Sequence, residues 1–246
     1  MLRLEDRFMR RLSRLPATDA PHVQFISELM SKEFARLYGA PARFSVEVNA
    51  PPPVQLATNT ERRRARDKWA PEAGRRLVIG FLGGTHERKG FRPLLRAIEH
   101  SDELFLLFGG PNSDTFNVPT ALKDKMKAVG FVEDVGEFFA ACDAFIVSAP
   151  FEPLGMVALE AAAYGVPIVA GEGVGALPTL LQYGCATAWP QGEALEPLVR
   201  SAVNAHTIMN AGAVRMCAEL GAQNYAKRLL ALCEAARNRN QNKEKQ

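Results

Sequence analysis

Short apolar runs recur through the middle of the chain, at residues 77–82, 104–108, 129–132, 145–147 and 168–170. Runs this short, bounded by glycine and proline, predict buried strands. Between them lie stretches whose apolar positions fall three and four apart, which predict helices over 91–100, 135–142 and 156–164. Residues 112–127 read as a polar loop followed by a helix with Leu122 and Met126 inward. Gly165 stops the helix that begins at Met156, and Pro167 leads into the next strand. Strand and helix alternate, so these segments read as βαβ units feeding one parallel sheet. The expected fold class is α/β: a Rossmann-like, doubly wound parallel sheet over residues 77–190, with helices on both faces.

The flanks read differently. Residues 2–15 place Leu4, Phe8, Leu12 and Leu15 at helical spacing, with five arginines on the other faces. The plainer reading is a solvated surface helix; the functional one is a basic helix on an anionic membrane surface. A strand at 22–26, a helix at 27–38 capped by Ser27 and stopped by Gly39, and a strand at 44–48 follow. Residues 54–76 are a linker and then a charged, solvated helix. Residues 171–178 read as a glycine-rich loop, and 195–204 and 215–237 as closing helices, with the last ten residues a frayed polar tail. Phe138 and Phe139 are expected in the core.

Composition narrows the options. The chain has 246 residues, 47% of them hydrophobic and 23% charged, enough for a proper core. A net charge of +3 is too weak to argue for nucleic acid. Cys142, Cys185, Cys217 and Cys233 form no close pair and read as small buried hydrophobes in a reducing compartment. The histidines are scattered, so no metal site is expected. With neither a signal-peptide core nor a membrane-spanning run, the expected place is the cytoplasm, peripherally at the inner face of the membrane on the basic-helix reading.

Two carboxylates carry the chemistry. Glu152 falls in the loop after the strand at 145–147, at the edge where open α/β sheets bind ligands. Gly155, Met156 and Val157 open the next helix, so their N–H groups lack intrahelical partners and suit a phosphate. Glu160 follows about one turn later, within reach of a vicinal diol such as a ribose. Earlier, Gly83 and Gly84 end a strand and let backbone approach a phosphate. Arg88 adds a fork for two phosphate oxygens and Lys89 a point charge. The plainer readings are chance glutamates on a helix and an exposed basic turn. Together the residues predict a site for a sugar, a phosphate and a nucleoside.

The stretch Glu-Pro-Leu-Gly-Met-Val-Ala-Leu-Glu, with seven residues between its glutamates, resembles the E-x7-E signature of family-4 retaining glycosyltransferases of the GT-B fold. The following Glu160-Ala-Ala-Ala-Tyr-Gly-Val-Pro-Ile-Val-Ala is similar to that family's "EAMAxGxPVVA". "FLGGTHERKG" resembles its diphosphate motif in the form found in lipopolysaccharide core glucosyltransferases, where an arginine directly precedes the lysine; the usual early arginine position is Gly84 here. Phe131-Val132-Glu133-Asp134 resembles the turn that holds the nucleotide base. Residues 22–52 resemble the last strand and helix of the family's N-terminal domain, with Asn49 matching its asparagine but Ala50-Pro51-Pro52 replacing Gly-Val-Asp. Further departures are Ser148-Ala149 for Pro-Ser, and Thr179 for a glutamate.

The resemblance implies hexosyl transfer, with retention, from a nucleotide diphosphate sugar to an acceptor hydroxyl. It implies Glu152, Arg88 and Lys89 as catalytic residues: the basic pair neutralises the leaving diphosphate and Glu152 holds the sugar hydroxyls. Gly83, Gly84, Val132, Leu154, Gly155, Met156, Val157 and Glu160 complete the substrate site. No cofactor or metal is required; the donor is a substrate, with a UDP-hexose favoured. Residues 1–52 are then a remnant of the N-terminal domain and hinge, 53–76 a linker and charged helix, 77–190 the donor domain and 191–246 closing helices and tail. Most of the acceptor domain is expected to be absent. Partners implied are the donor, a glycan or glycolipid acceptor, and a chain supplying the acceptor domain. Three readings stay open: a fragment of a full transferase in envelope polysaccharide or lipopolysaccharide synthesis, a donor-binding subunit of a split transferase, and a non-catalytic nucleotide-sugar-binding module.

Overall fold

The apolar runs line up side by side, and what lies between them covers both faces. The structure is a computed structural model that describes residues 4–17 and 19–243. Residues 2 and 3 of the basic segment and the last three of the tail lie outside the described residues. At the N-terminal end α1 (Leu4–Ser13) packs on α2 (Glu28–Tyr38), which connects β1 (Val23–Phe25) to its parallel partner β2 (Phe44–Val46). The charged helix α3 (Asn59–Trp69) follows, capped by Thr58 and Glu61 bonding each other's backbone N–H groups.

Six strands form the main sheet: β3 (Leu77–Leu82), β4 (Leu104–Gly109), β5 (Met126–Ala128), β6 (Ala144–Val147), β7 (Ile168–Gly171) and β8 (Ala186–Trp189). All pair in parallel, in the order β5-β4-β3-β6-β7-β8. The helices are α4 (Phe91–Glu99), α5 (Val135–Ala140), α6 (Met156–Ala163), α7 (Leu177–Gln182), α8 (Leu195–Asn204), α9 (His206–Leu220) and α10 (Ala222–Lys243). The two-residue period of the strands sorts their side chains into two cores. Ile79, Leu106, Phe108 and Ile146 meet α4 and α8 on one face. Val78, Phe105, Leu107 and Phe145 meet Phe138 and Phe139 of α5, and α6, on the other. Phe138 and Phe139 are fully buried. Covering both faces is why the strands read as unbroken apolar runs.

The chain leaves β3 toward β4 on one side and β6 toward β7 on the other. The order therefore reverses between β3 and β6, and a crevice opens at their carboxyl ends.

Four expectations need correction. The third strand is Met126–Ala128, not 129–132, and only a 3-10 turn, Thr120–Leu122, precedes it. As an edge strand it tolerates the half-exposed Lys127, so it carries no apolar run, while Gly130 at φ +72° turns the chain away before Phe131. Residues 171–178 are not all loop: α7 begins at Leu177, with a proline in its first turn where the missing N–H costs nothing. The closing helix over 215–237 is two helices, broken at Gly221, and the second runs through Lys243 rather than fraying. Cys233 is exposed and Cys217 only half-buried, whereas Cys142 and Cys185 are buried as expected.

α10 returns to the N-terminal pair. Tyr225 Oη donates to Asn49 Oδ1 at 3.3 Å, and Arg228 Nε to Glu47 Oε2 at 2.8 Å. Among the described residues no helix is long and apolar enough to cross a membrane.

Candidate active site

Three loops meet at the crevice: residues 83–90 after β3, 148–155 after β6 and 172–176 after β7. Backbone contact brings the first two together. Gly90 sits at φ +77°, and a Cβ there would lie 1.9 Å from the Ser148 carbonyl oxygen. Only glycine permits that approach. Ser148 Oγ donates to the Gly90 carbonyl at 2.9 Å and closes the contact. The residue before Gly90 is thereby carried to the second loop: Lys89 Nζ pairs with Glu152 Oε2, and the pair is largely shielded, with side chains 28% and 16% exposed. Gly83 makes room for the Lys89 stem, since a Cβ at Gly83 would stand 3.1 Å from Lys89 Cβ.

The third loop holds Glu152 by its backbone. Glu152 N–H donates to the Gly173 carbonyl at 2.8 Å, and its carbonyl accepts from Gly175 N–H at 2.9 Å. Leu154 is buried and its carbonyl accepts from Ala176 N–H at 2.7 Å. Ser27 joins from α2: its buried hydroxyl donates to the Pro153 carbonyl while accepting from Met30 N–H at 3.2 Å as the α2 cap. One serine thus caps a helix and pins the loop carrying Glu152.

Gly155, at φ +87°, turns this loop into α6 and offers no side-chain cap. Among the described residues the N–H groups of Met156 and Val157 have no acceptor. The positive end of α6 is open, the condition that favours an anion. Glu160 follows on the same helix, half-buried and without a hydrogen-bond partner among the described residues. Its burial raises the carboxyl pKa above the ordinary value.

The remaining predicted residues divide. Gly84 sits at φ +60°, and a Cβ there would meet the Pro111 carbonyl oxygen at 2.1 Å. This backbone therefore has no room for an arginine at Gly84. Arg88 lies in the 3-10 turn Glu87–Lys89, exposed, with no hydrogen bond or ion pair to a described residue. Neighbours in such a turn project about 120° apart, so Lys89 and Arg88 do not share a direction. Val132 is a packing residue: it is buried, and a Cβ on Gly109 would touch its Cγ2 at 2.7 Å. Phe131, part of the turn that resembles the base-holding one, is 77% exposed beside Val132, and Phe151, which sequence reasoning passed over, is 42% exposed beside Glu152. An aromatic in a polar loop was the only signal available.

Known proteins share this fold. The model of the family described as glycosyl transferases group 1 matches residues 76–206. A lipopolysaccharide core biosynthesis glycosyltransferase, LpsE of Rhizobium meliloti, is 33% identical over 97 residues, which cover 37% of this chain and 28% of LpsE. The chain spans less than half the length of the curated relatives it matches. Among solved structures, the UDP complex of Anabaena HepE superposes with a TM-score of 0.75 at 16% identity, covering 95% of this chain and 69% of HepE. WaaG, a glycosyltransferase involved in lipopolysaccharide biosynthesis, superposes with a TM-score of 0.61 at 18% identity, covering 82% and 59%.

Proposed function

Because the chain belongs to the group 1 glycosyl transferases, we propose that its crevice holds a nucleotide diphosphate sugar and that the whole protein transfers the hexose to an acceptor hydroxyl with retention. The Lys89–Glu152 pair beside the open end of α6 carries this reading. It joins a cation for the diphosphate and a carboxylate for the sugar at one spot. Donor binding exchanges the pair: Lys89 takes phosphate oxygens and Glu152 takes sugar hydroxyls. Glu160 accepts from the ribose diol, and Arg88 adds charge at the rim. In the transfer, the bond from the anomeric carbon to the diphosphate oxygen breaks. The acceptor oxygen bonds that carbon, and its proton passes to the departing diphosphate. Lys89 and the α6 N–H groups stabilise the charge that develops there.

A UDP-hexose is the favoured donor. The HepE structures supporting this contain UDP and UDP-glucose, and the names of LpsE and WaaG support an envelope glycan as product. A partner chain that adds acceptor-binding surface belongs to the same reading. A peripheral contact with an anionic membrane surface is supported by α1, where Phe8 is 59% exposed among Arg7, Arg10, Arg11 and Arg14.

The test is a titration of the chain with UDP, GDP and ADP, each free and as its glucose or mannose conjugate. One UDP-hexose is expected to bind selectively. Glu160→Ala and Lys89→Ala are each expected to weaken it by about tenfold or more, the worth of a charge-assisted hydrogen bond. Folded protein that binds none of them, or variants that bind as well as the parent, would overturn the reading.

A further inference from the structure

A groove of about 910 Å3 runs beside the Glu152 loop, walled by α4, the start of the β6–α6 loop, the β7–α7 loop and the β8–α8 connection. Arg88, Lys89, Glu152, Gly155 and Glu160 do not line it. The polar side chains lining it include Arg96 on α4, Glu172 directly after β7, and Gln191 and Glu193 after β8. All four are exposed, and none of these side chains bonds or pairs with a described residue. Trp189, half-buried, lines the same groove, and its Nε1 donates to the Glu193 carbonyl at 2.9 Å, which fixes the indole.

An anchored indole face accepts the C–H face of a pyranose, while flanking carboxylates, an amide and a guanidinium meet its hydroxyls. The volume is that of a site for a ligand larger than one sugar ring. Glu196 also lines the groove, so carboxylates outnumber the arginine and an anionic ligand is disfavoured. The position fits the chemistry too. Ser148–Pro150 form one wall and lead directly into Glu152, and Glu172 adjoins Gly173, whose carbonyl holds the Glu152 N–H. A glycan in this groove therefore ends at the loop that carries Glu152.

We infer that the groove is an acceptor subsite for a neutral oligosaccharide segment, with Trp189 as its platform and Glu172, Glu193 and Arg96 as its hydrogen-bonding groups. This rests on the transferase reading and adds the class of acceptor. Fluorescence tests it cleanly, because the chain has two tryptophans. Trp69 packs against Phe138 on the opposite face of the sheet, with ring centroids 6.0 Å apart. In Trp69→Phe the emission comes from Trp189 alone. Titration with gluco-, manno- and galacto-trisaccharides is expected to change it saturably for at least one. Glu172→Gln with Glu193→Gln is expected to weaken that binding about tenfold while UDP affinity stays at the parent value. If Trp69→Phe does not fold, saturation-transfer NMR on the parent chain, with Trp189→Ala as control, gives the same readout. No trisaccharide binding by a chain that still binds UDP would overturn the subsite alone. Binding that survives the double substitution would overturn it as well. Failure of UDP to bind would instead strike the donor reading.

Discussion

Glu160 is a half-buried carboxyl with no partner of its own, which is an unstable arrangement unless a ligand supplies the partner. Burial raises its pKa, so the folded chain holds that proton more tightly than the unfolded chain does. The group's contribution to stability is therefore fully present below the ordinary carboxylate range and is lost as pH rises through the raised folded value. Near neutral pH the ionised carboxylate is a net burden on the free protein. Glu160→Gln is expected to melt higher than the parent near neutral pH, with the difference vanishing below about pH 4. Calorimetry across that range reads it, and equal melting throughout would show that the carboxylate carries no burial penalty. Both glutamates were legible from spacing alone. The ion pair between Glu152 and Lys89 was not, because it joins residues 63 apart in sequence. It depends on the Gly90–Ser148 backbone contact, which no local pattern announces.

Among the elements, the loop between β6 and α6 is the one whose shape matters most, and the cap of α2 is one of its anchors beside the β7–α7 loop. Replacing Ser27 by alanine removes a helix cap, worth about 1 kcal/mol, and leaves the Pro153 carbonyl unpaired, worth about 1–3 kcal/mol. The expected outcome is a melting temperature lower by roughly 5 °C and a several-fold loss of UDP-hexose affinity. Ser27→Thr keeps the oxygen and is expected to restore both. Affinity unchanged in Ser27→Ala would show that the loop holds its shape without α2. The elements at the centre of the sheet were readable because burial on both faces makes β3, β4, β6 and β7 continuously apolar. The edges were not: β5 and β8 pair on one side only and carry Lys127 and Thr187, so their hydrophobic signal is weak.

At the scale of the molecule, α10 ties the N-terminal β1–β2 unit to the rest through Arg228–Glu47 and Tyr225–Asn49. The ion pair is partly exposed, so its removal is a modest change, of about 1 kcal/mol or less. Its effect is local. Arg228→Ala is expected to speed hydrogen exchange in α2, β1 and β2 while leaving the amides of β3, β4 and β6 at parent rates. Uniform acceleration across the main sheet would mean that the two parts unfold as one unit. The fold class, the donor-type signature and the position of Glu152, Gly155 and Glu160 on one strand–loop–helix unit follow from the order of residues, because hydrophobic period and motif spacing are local properties of the chain. The strand order with its reversal between β3 and β6, the Lys89–Glu152 pairing, the Ser27 anchor and the Trp189 groove come from tertiary structure alone. Each depends on segments far apart in sequence meeting across a sheet, where close backbone approach and shared burial decide which side chains touch.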